Sequence, residues 1–526
     1  MPRYALVLLA LLAASSAAAS AQTSAHPRDG QIHDADTRAW WHTTEYLSSD
    51  AMEGRDTGSA AYARAAQYVA ERFRQAGLQP AGENGSYLQQ VPLHEVQVTP
   101  QGTTFTLLRP NAPDRPLQFL QQITIAPSTS LPATLEAPLA FRGYCSRAEA
   151  TNLTGKIAVC FGTRRTGLPS ARDRMQAVRA AGAVGILTVD DLAFTIEPPR
   201  WPEAYARSVT LAAATPPPAA PTAFVSMRLS AAVFPALMEG TSQNAQQILT
   251  LGGQSNPLPS VDLPTRLRLT THTITRDYTS PNVLAVLPGS DPSLKSQYIV
   301  IAAHLDGYGH GTPVLGDGIY NGTLDDAAYV ALLIQFADDQ HAARSKGDPG
   351  LKRSILFCAF TGEEKGLLGS TWFTQHPTVP RTALAADINL DQLRPLFPLH
   401  ILTALAIDDS TLGQTARAVG AAMHITVRAD REPERSLLRR ADHWPFMQIG
   451  VPSIGFIFGY DPGTDAERRY RQWYTTQYHR PQDDVTQPID FDAAARFDTF
   501  FYTLTRTVAN ATSRPAWTDG SPYKPH

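Results

Sequence analysis

Histidine and carboxylate residues are concentrated in the second half of the sequence, several of them directly after short apolar runs. The candidates are His304, Asp306, Asp325, Glu363, Glu364, Asp391 and His479. Imidazole nitrogens and carboxylate oxygens are ligands of Zn²⁺ in catalytic sites, and one carboxylate can bridge two ions about 3.5–4 Å apart. One ion would not need so many ligands. These residue types therefore predict a centre with two zinc ions per chain.

The elements that carry these residues are predicted from the alternation of apolar runs and amphipathic segments after residue 282. Continuous apolar runs are typical of buried parallel strands, and the helices between them cover both faces. We therefore predict an α/β fold with a mostly parallel, mixed sheet and helices on both faces. The runs 298–303, 354–360 and 385–390 each end just before candidate residues. Ligands in such sheets bind beyond the carboxyl ends of the strands, so the candidates should converge at one edge.

Each candidate also has an ordinary structural explanation. A lone histidine at a strand end is more often hydrogen-bonded structure than a ligand, and the pair Glu363-Glu364 also suits the start of a solvated helix. We predict supporting roles for His310, His443 and Asp483. The sequence contains no His-Glu-x-x-His and no Gly-x-Ser-x-Gly, so thermolysin-like and serine-hydrolase sites lack their starting residues. The joint arrangement, rather than any single residue, favours the metal centre.

The first residues have the order of a secretory signal. Met1-Pro-Arg3 precedes the apolar run 5–14, and small residues end at Ala21, after which we predict cleavage. No later stretch reaches the roughly 20 apolar residues of a membrane helix, so no membrane span is predicted. The net charge of -3 is close to neutral for 526 residues and indicates no nucleic-acid partner. We expect a secreted or periplasmic protein.

Cysteine usage is sparse. Cys145, Cys160 and Cys358 are too few for a disulfide scaffold or a thiolate metal site. Cys145 and Cys160 are candidates for a bridge in an oxidising compartment, and the sequence leaves open whether they are joined. Cys358 lies inside an apolar run and is predicted to fill the core.

A set of short motifs resembles those of one enzyme family. The motifs are His304-Leu-Asp306, Asp325-Asp326-Ala327, Gly362-Glu363-Glu364, Asn389-Leu-Asp391, Ala441-Asp442-His443 and Tyr478-His479. Together they resemble the co-catalytic zinc exopeptidases of the bacterial leucyl aminopeptidase, aminopeptidase Y and glutamate carboxypeptidase type. The resemblance covers nearly the whole chain after the signal. It implies the zinc exopeptidase fold, which is phosphorylase/hydrolase-like, and the hydrolysis of peptides from one end.

The resemblance also implies a ligand set for each ion. Asp325 would bridge the two zinc ions. His304 and Asp391 would complete the first set, and Glu364 and His479 would complete the second. The cofactor is therefore predicted to be Zn²⁺, with two ions per chain.

Two further carboxylates receive catalytic roles from the resemblance. Glu363 would be the general base that takes a proton from the metal-bound water and passes it to the leaving amine, and Asp306 would orient the His304 imidazole. The resulting hydroxide would attack the scissile carbonyl. In aminopeptidases of this type the free α-amine of the substrate also reaches one zinc, so a peptide cleaved at its amino end is predicted. One departure is Asp326-Ala-Ala-Tyr329, where the family commonly has Asn-Ala-Ser-Gly; it adds charge and bulk beside the site.

The resemblance extends to the organisation of the chain. Residues 155–160 and 180–185 resemble the protease-associated insert found in many members, and they lie in a β-rich stretch with few clustered histidines or acids. The predicted division is a signal peptide at 1–21, the N-terminal part of the peptidase domain at 22–131, a protease-associated (PA) domain at 132–275, the zinc peptidase domain at 276–513 and a C-terminal tail at 514–526.

Other functions stay open at this point. A glutamate-type carboxypeptidase or dipeptidase would need basic residues for a terminal carboxylate, for which Arg394, Arg439 and Arg440 are candidates. A cyclase acting on N-terminal glutamine resembles this fold and typically works with one zinc. A non-enzymatic binding ectodomain would use the insert as its interaction surface, although the complete ligand set argues against it. The oligomeric state is not predicted.

Overall fold

The computed structural model describes residues 26–162, 167–191, 203–212, 224–391 and 393–525. The predicted signal peptide at 1–21 lies outside these ranges. Among the helices within them, none has the length and apolar content needed to span a lipid bilayer.

The described residues form two large β-sheets, a two-stranded sheet of Gly309–Val314 and Asp317–Tyr320, and a set of helices. The strands are β1 (Gln79–Pro80), β2 (Leu88–Val98), β3 (Thr104–Leu108), β4 (Arg115–Leu117), β5 (Ile123–Ile125), β6 (Thr134–Arg142), β7 (Ile157–Phe161), β8 (Gly185–Val189), β9 (Arg207–Leu211), β10 (Val225–Leu229), β11 (Ser260–Thr270), β12 (Thr273–Leu287), β13 (Tyr298–His304), β14 (Gly309–Val314), β15 (Asp317–Tyr320), β16 (Ser354–Phe360), β17 (Leu384–Asn389), β18 (Ile401–Leu405), β19 (Thr426–Ala429) and β20 (Ser453–Phe458). The α-helices are α1 (Ala35–Leu47), α2 (Ala60–Gln75), α3 (Ala171–Ala180), α4 (Phe234–Leu237), α5 (Ala245–Gly253), α6 (Ala328–Ser345), α7 (Leu368–Gln375), α8 (Thr411–Ala422), α9 (His443–Gln448), α10 (Asp465–Thr476) and α11 (Phe491–Asn510).

The larger sheet has ten strands in the order β19-β18-β20-β17-β13-β16-β12-β2-β9, with β1 beside β12. Its centre, β16-β13-β17-β20, is parallel, whereas β12, β2 and β9 continue it as antiparallel strands. This mixed sheet and its helices confirm the α/β fold predicted from the sequence. The three apolar runs fall on the adjacent strands β13, β16 and β17. The residues that follow them therefore meet at one sheet edge.

Both faces of this sheet are covered by helices. Alternate residues of β13 belong to different cores: Ile299 and Ile301 pack with α1, α2, α6 and α11, and Val300 and Ala302 pack with α7 and α9. Residues 328–337 of α6 are all buried, since the neighbouring helices surround its N-terminal half. A helix that is apolar on all sides needs such cover. The helix that begins just after the Asp325 turn is thereby held inside the protein.

The smaller sheet has eight strands in the order β4-β3-β11-β6-β7-β8-β10-β5. The chain reaches it through β2 and returns through β12, which pair antiparallel from Leu88↔Val283 to Val98↔Thr273. Its first strand begins at Thr104, ahead of the predicted boundary at 132, because β3 pairs with the distant β11. Strand β9 comes from the same stretch of sequence but pairs with β2 of the larger sheet. The two sheets are therefore linked at the β2–β12 ribbon and again through β9.

The smaller unit also contains the disulfide between Cys145 and Cys160, which are 15 residues apart. Closing a loop of this size stabilises a protein by about 3 kcal/mol in the chain-entropy description. We expect the Cys145→Ala/Cys160→Ala variant to lose about 3 kcal/mol of unfolding free energy, measured by urea denaturation. A reductant should lower the stability of the wild type and leave the variant unchanged. An equal response of both proteins would contradict the prediction.

Candidate metal centre

The candidate ligands form two adjoining donor groups that share Asp325. His304, Asp325 and Asp391 have ligand atoms within 4.8 Å of one another, and Asp325, Glu364 and His479 form a second group by the same measure. Oδ1 of Asp325 lies 3.6 Å from Nε2 of His304, and Oδ2 lies 3.5 Å from Nε2 of His479. Nε2 of His479 is also 3.5 Å from Oε2 of Glu364. The tertiary structure thus brings the predicted ligands together.

These separations suit zinc. Two ligand atoms about 2.1 Å from one ion at a tetrahedral angle lie roughly 3.4 Å apart. The observed distances of 3.5 and 3.6 Å are close to this value. Oε1 of Glu364 is buried and has no hydrogen-bond partner among the described residues. A cation would compensate such an oxygen, so the residues present fit a pair of zinc ions.

Three of the ligands are mounted at the ends of strands. His304 is the last residue of β13, and Asp391 follows β17. Glu364 follows β16 after a turn at Gly362, whose φ of +66° lies in the region that glycine adopts without strain. Because β13, β16 and β17 are parallel neighbours, their ends bring these side chains to one edge.

The other two candidate ligands, Asp325 and His479, are linked by the carboxylate of Asp483, which belongs to neither donor group. Asp325 lies in the turn Thr323–Ala327, which precedes α6. The Asp483 carboxylate accepts hydrogen bonds from the backbone N–H of Leu324 at 2.9 Å and of Asp325 at 3.1 Å. Since Asp483 belongs to the loop after His479, it ties that loop to the Asp325 turn. This is the supporting role predicted for it.

A buried arginine holds the backbone around the site. Arg55 is fully buried and donates to the carbonyl oxygens of Leu47, Leu305, Asn321 and Gly322 at 2.7 to 2.9 Å. Leu305 adjoins His304, and Gly322 stands just before the Asp325 turn. Sequence reasoning did not assign this role, although Arg55 stands in a polar, turn-rich segment, 53–58, that resembles the opening of the family.

Asp306 supports its neighbours differently from the predicted contact. Its carboxylate lies 3.8 Å from Nδ1 of His304, and Nδ1 instead contacts the backbone carbonyl of Asp306 at 3.1 Å. The carboxylate accepts from the backbone N–H of Glu363 at 3.0 Å and from the hydroxyl of Thr57 at 2.8 Å. The same residue therefore orients His304 through its main chain and Glu363 through its side chain.

Arg394 neutralises part of the charge on the shared carboxylate. Its fully buried guanidinium donates to Oδ1 of Asp325 at 3.1 Å and to the carbonyls of Leu324 and Leu393 at 2.8 and 2.7 Å. It also lies over the Trp473 ring, 4.5 Å from the ring centre. Arg394 was a candidate for binding a substrate carboxylate, but these contacts commit it to Asp325.

The site concentrates negative charge in a buried volume. Burial raises the pKa of Glu363 and of Asp326 well above the usual range, and it raises the pKa of Glu364 to about 7. Burial also disfavours the charged form of Asp325, but Arg394 and the two imidazoles outweigh this effect and lower its pKa. The neighbouring carboxylates have fewer positively charged partners in the protein than Asp325 has. Their uncompensated negative charge attracts cations.

Asp326 and Tyr329, the two residues that depart from the family pattern, belong to neither donor group. Oδ2 of Asp326 accepts the backbone N–H of His304 at 3.0 Å, so its charge is used to position a ligand. Tyr329 is buried and packs edge-on against Phe497, so its bulk is directed into the core.

Neither of the additional histidines belongs to a donor group. The side chain of His310 is 63% exposed and lies 3.8 Å from Glu53. His443 is buried, and burial lowers its pKa to about 4, which keeps it neutral.

Two tyrosines that sequence reasoning missed adjoin His479. The hydroxyls of Tyr205 and Tyr308 lie 3.0 and 3.1 Å from Nδ1 of His479. Their rings meet edge to face with centres 5.8 Å apart. Tyr308 belongs to the segment after His304, but Tyr205 comes from the stretch of sequence that contains the smaller sheet. No local pattern connects Tyr205 with the site.

Several known proteins are similar to this chain. Residues 282–505 match peptidase family M28. A probable zinc metalloprotease from Pyrenophora tritici-repentis is 27% identical over 265 residues, which cover 44% of this chain and 58% of the relative. The leupeptin-inactivating enzyme 1 of Streptomyces exfoliatus is 23% identical over 314 residues, which cover 58% of this chain and 66% of that enzyme. The chain thus spans about half to two thirds of the length of these curated relatives.

A solved structure shares the fold. The aminopeptidase from Aneurinibacillus sp. strain AM-1 superposes with a TM-score of 0.59 at 16% sequence identity, and the match covers 91% of this chain and 95% of that protein. Together with the family match, this confirms the fold and the family resemblance predicted from the sequence.

We expect Arg394→Met to lower the unfolding free energy of the metal-free protein by about 3 kcal/mol, because it leaves the buried Asp325 carboxylate without its arginine. Zinc should restore part of this loss by supplying positive charge. Urea unfolding in chelator and in zinc measures both effects. Arg417→Met removes an exposed ion pair with Asp408 and is the matched control; it should cost less than about 1 kcal/mol. Equal losses in the two variants would contradict the prediction.

Proposed function

We propose that this chain, whose residues 282–505 belong to peptidase family M28, is a secreted zinc exopeptidase that removes residues from the amino end of peptides. The position of Asp325 carries the proposal, since its two oxygens face two different donor groups. A site for one ion would leave one of these groups without a function. The relatives named as zinc metalloprotease and aminopeptidase support zinc as the metal and peptides as substrates.

In this proposal the five residues would hold two zinc ions. Asp325 would be shared by both ions, His304 and Asp391 would complete the first set, and Glu364 and His479 would complete the second. When bound, the ions polarise the scissile carbonyl and lower the pKa of water at the site.

Glu363 is the proposed general base. Its carboxylate lies within 4.8 Å of ligand atoms of His304 and Glu364, and its backbone is held by Asp306. A carboxylate at this position can take a proton from the attacking water. It then delivers this proton to the leaving amine. Asp306 acts as a positioning residue for both Glu363 and His304.

The resemblance to aminopeptidases implies that the free α-amine of the substrate reaches one zinc. A carboxypeptidase would instead need a cation that can receive the terminal carboxylate. Arg394 pairs with Asp325. Arg440 donates to the Tyr478 hydroxyl at 3.2 Å, and Arg439 lies over the Trp444 ring, 5.0 Å from its centre. This contrast supports cleavage from the amino end.

The smaller sheet supports the proposed insertion of a protease-associated domain. Residues 155–160 overlap β7, and residues 180–185 lead into β8, its parallel neighbour. We propose that the inserted unit extends over 104–270. The disulfide between Cys145 and Cys160 suits an oxidising compartment, which supports secretion through the signal at 1–21.

The proposal is tested with one peptide that carries either a free or an acetylated amino terminus. We expect zinc-loaded protein to release the first residue from the free peptide only, and chelator-stripped protein to release none. Mass spectrometry of the products measures this. Trimming from the carboxyl end regardless of acetylation would replace the aminopeptidase with a carboxypeptidase. The absence of zinc-dependent cleavage would favour a binding role.

The general base gives a second prediction. We expect Glu363→Gln to lower kcat by about 10²- to 10⁴-fold, because the amide cannot accept the proton. Zinc content should stay near two ions per chain, since Glu363 is not a proposed ligand. Glu71→Gln on the exposed face of α2 serves as the control. A kcat close to the wild-type value, or loss of zinc together with activity, would show that Glu363 has another role.

A further inference from the structure

Residues 203–212 connect the inserted sequence to the metal centre. They lie in sequence between β8 and β10 of the smaller sheet, yet β9 pairs antiparallel with β2 of the larger sheet, from Arg207↔Gln97 to Leu211↔Leu93. Tyr205 precedes this strand directly. The pairing of β9 with β2 therefore fixes the position of the backbone next to Tyr205.

Arg207 anchors this segment to two carboxylates. Its side chain is only 9% exposed, and its guanidinium donates to Asp56 and, at 2.7 Å, to Glu95. Glu95 is itself buried and also accepts from the Tyr278 hydroxyl at 3.0 Å and from Arg276 at 3.1 Å. Two ion pairs inside the protein hold the start of β9 firmly.

The Tyr205 hydroxyl lies 3.0 Å from Nδ1 of His479, and the two rings are nearly perpendicular at 89°. The Tyr308 hydroxyl is 3.1 Å from Nδ1 and 3.2 Å from Nε2. An atom almost equidistant from both nitrogens lies over the ring face, where it is a poor acceptor for an in-plane N–H. Tyr205 is therefore the better placed acceptor for a proton on Nδ1.

Asp56, one of the two partners of Arg207, also pairs with a residue beside Glu364. The side chain of Lys365, the residue after Glu364, is buried, and its Nζ lies 3.2 Å from Oδ1 of Asp56. Asp56 is thus shared by Lys365 and Arg207. The segment around β9 contacts His479 through Tyr205, and Arg207 and Asp56 connect it to the side chain of Lys365, the sequence neighbour of Glu364.

We propose that Tyr205 is a positioning residue for His479, through which the inserted sequence sets the affinity for the zinc ion held by Glu364 and His479. A histidine ligand binds zinc through one neutral nitrogen while the other donates its N–H to a partner, which fixes the tautomer and the ring orientation. With Nδ1–H donated to Tyr205, Nε2 faces Asp325 and Glu364. This inference rests on the proposed two-zinc site.

The test is Tyr205→Phe in the full mature chain, which removes the hydroxyl and keeps the ring. Competition with a chromophoric chelator measures both zinc dissociation constants. We expect one constant to rise about 10- to 100-fold, as for other partners of metal-bound histidines, and the other to change less than threefold. A general loss of structure would weaken both ions together.

Arg207→Lys provides the second variant, because lysine keeps the charge but cannot bridge both carboxylates with a planar fork. It should weaken the same ion, and the double variant should be no weaker than Tyr205→Phe alone, since Arg207 acts through Tyr205. Arg276→Gln removes a half-exposed contact to the same Glu95 and is the matched control, with both constants unchanged.

The outcomes separate this inference from the proposed function. A wild type that binds two zinc ions and cleaves free peptides, with a Tyr205→Phe variant whose constants are unchanged or rise equally, overturns the role of Tyr205 and leaves the peptidase intact. A wild type that binds fewer than two zinc ions overturns both.

Discussion

The buried negative charge around Asp325 is the constraint on which the rest of this structure depends. Carboxylates removed from water cost several kcal/mol each unless cations or hydrogen bonds compensate them. Arg394 and two imidazoles compensate Asp325, but Glu363, Glu364 and Asp326 have raised pKa values because of burial. The proposed zinc ions would complete this compensation. A site of this kind needs a backbone that stays in place when the ions leave.

That rigidity comes from groups outside the ligand set. Arg55 donates to four carbonyl oxygens, of which those of Leu305, Asn321 and Gly322 adjoin His304 or the Asp325 turn. Asp483 accepts two backbone N–H groups at that turn. Strands β13, β16 and β17 place the remaining ligands at a common edge. The antiparallel β2–β12 ribbon links the larger sheet to the smaller one, and β9 pairs with β2. Tyr205, just before β9, contacts His479, so residues between β8 and β10 adjoin the site.

The fold could be predicted as far as local patterns reach. Apolar runs identified β13, β16 and β17 because strands buried on both faces contain few polar residues. The antiparallel side of the larger sheet and the early start of the smaller sheet were not predicted. Strand β3 pairs with β11, which is far away in sequence, and no pattern within residues 104–108 predicts which strand it pairs with.

The sequence by itself determined the chemistry of this protein: which imidazoles and carboxylates are present, that several follow apolar runs, and that the motifs resemble a zinc exopeptidase family. These features are local, so they can be read along the chain. Only the tertiary structure decided how the groups are supported. Arg394 was a candidate for a substrate carboxylate but pairs with Asp325, the Asp306 carboxylate accepts from Glu363, and Tyr205 crosses from the inserted sequence to His479. Such contacts join residues far apart in sequence, and their partners are set by packing, which leaves no periodic or spacing signal.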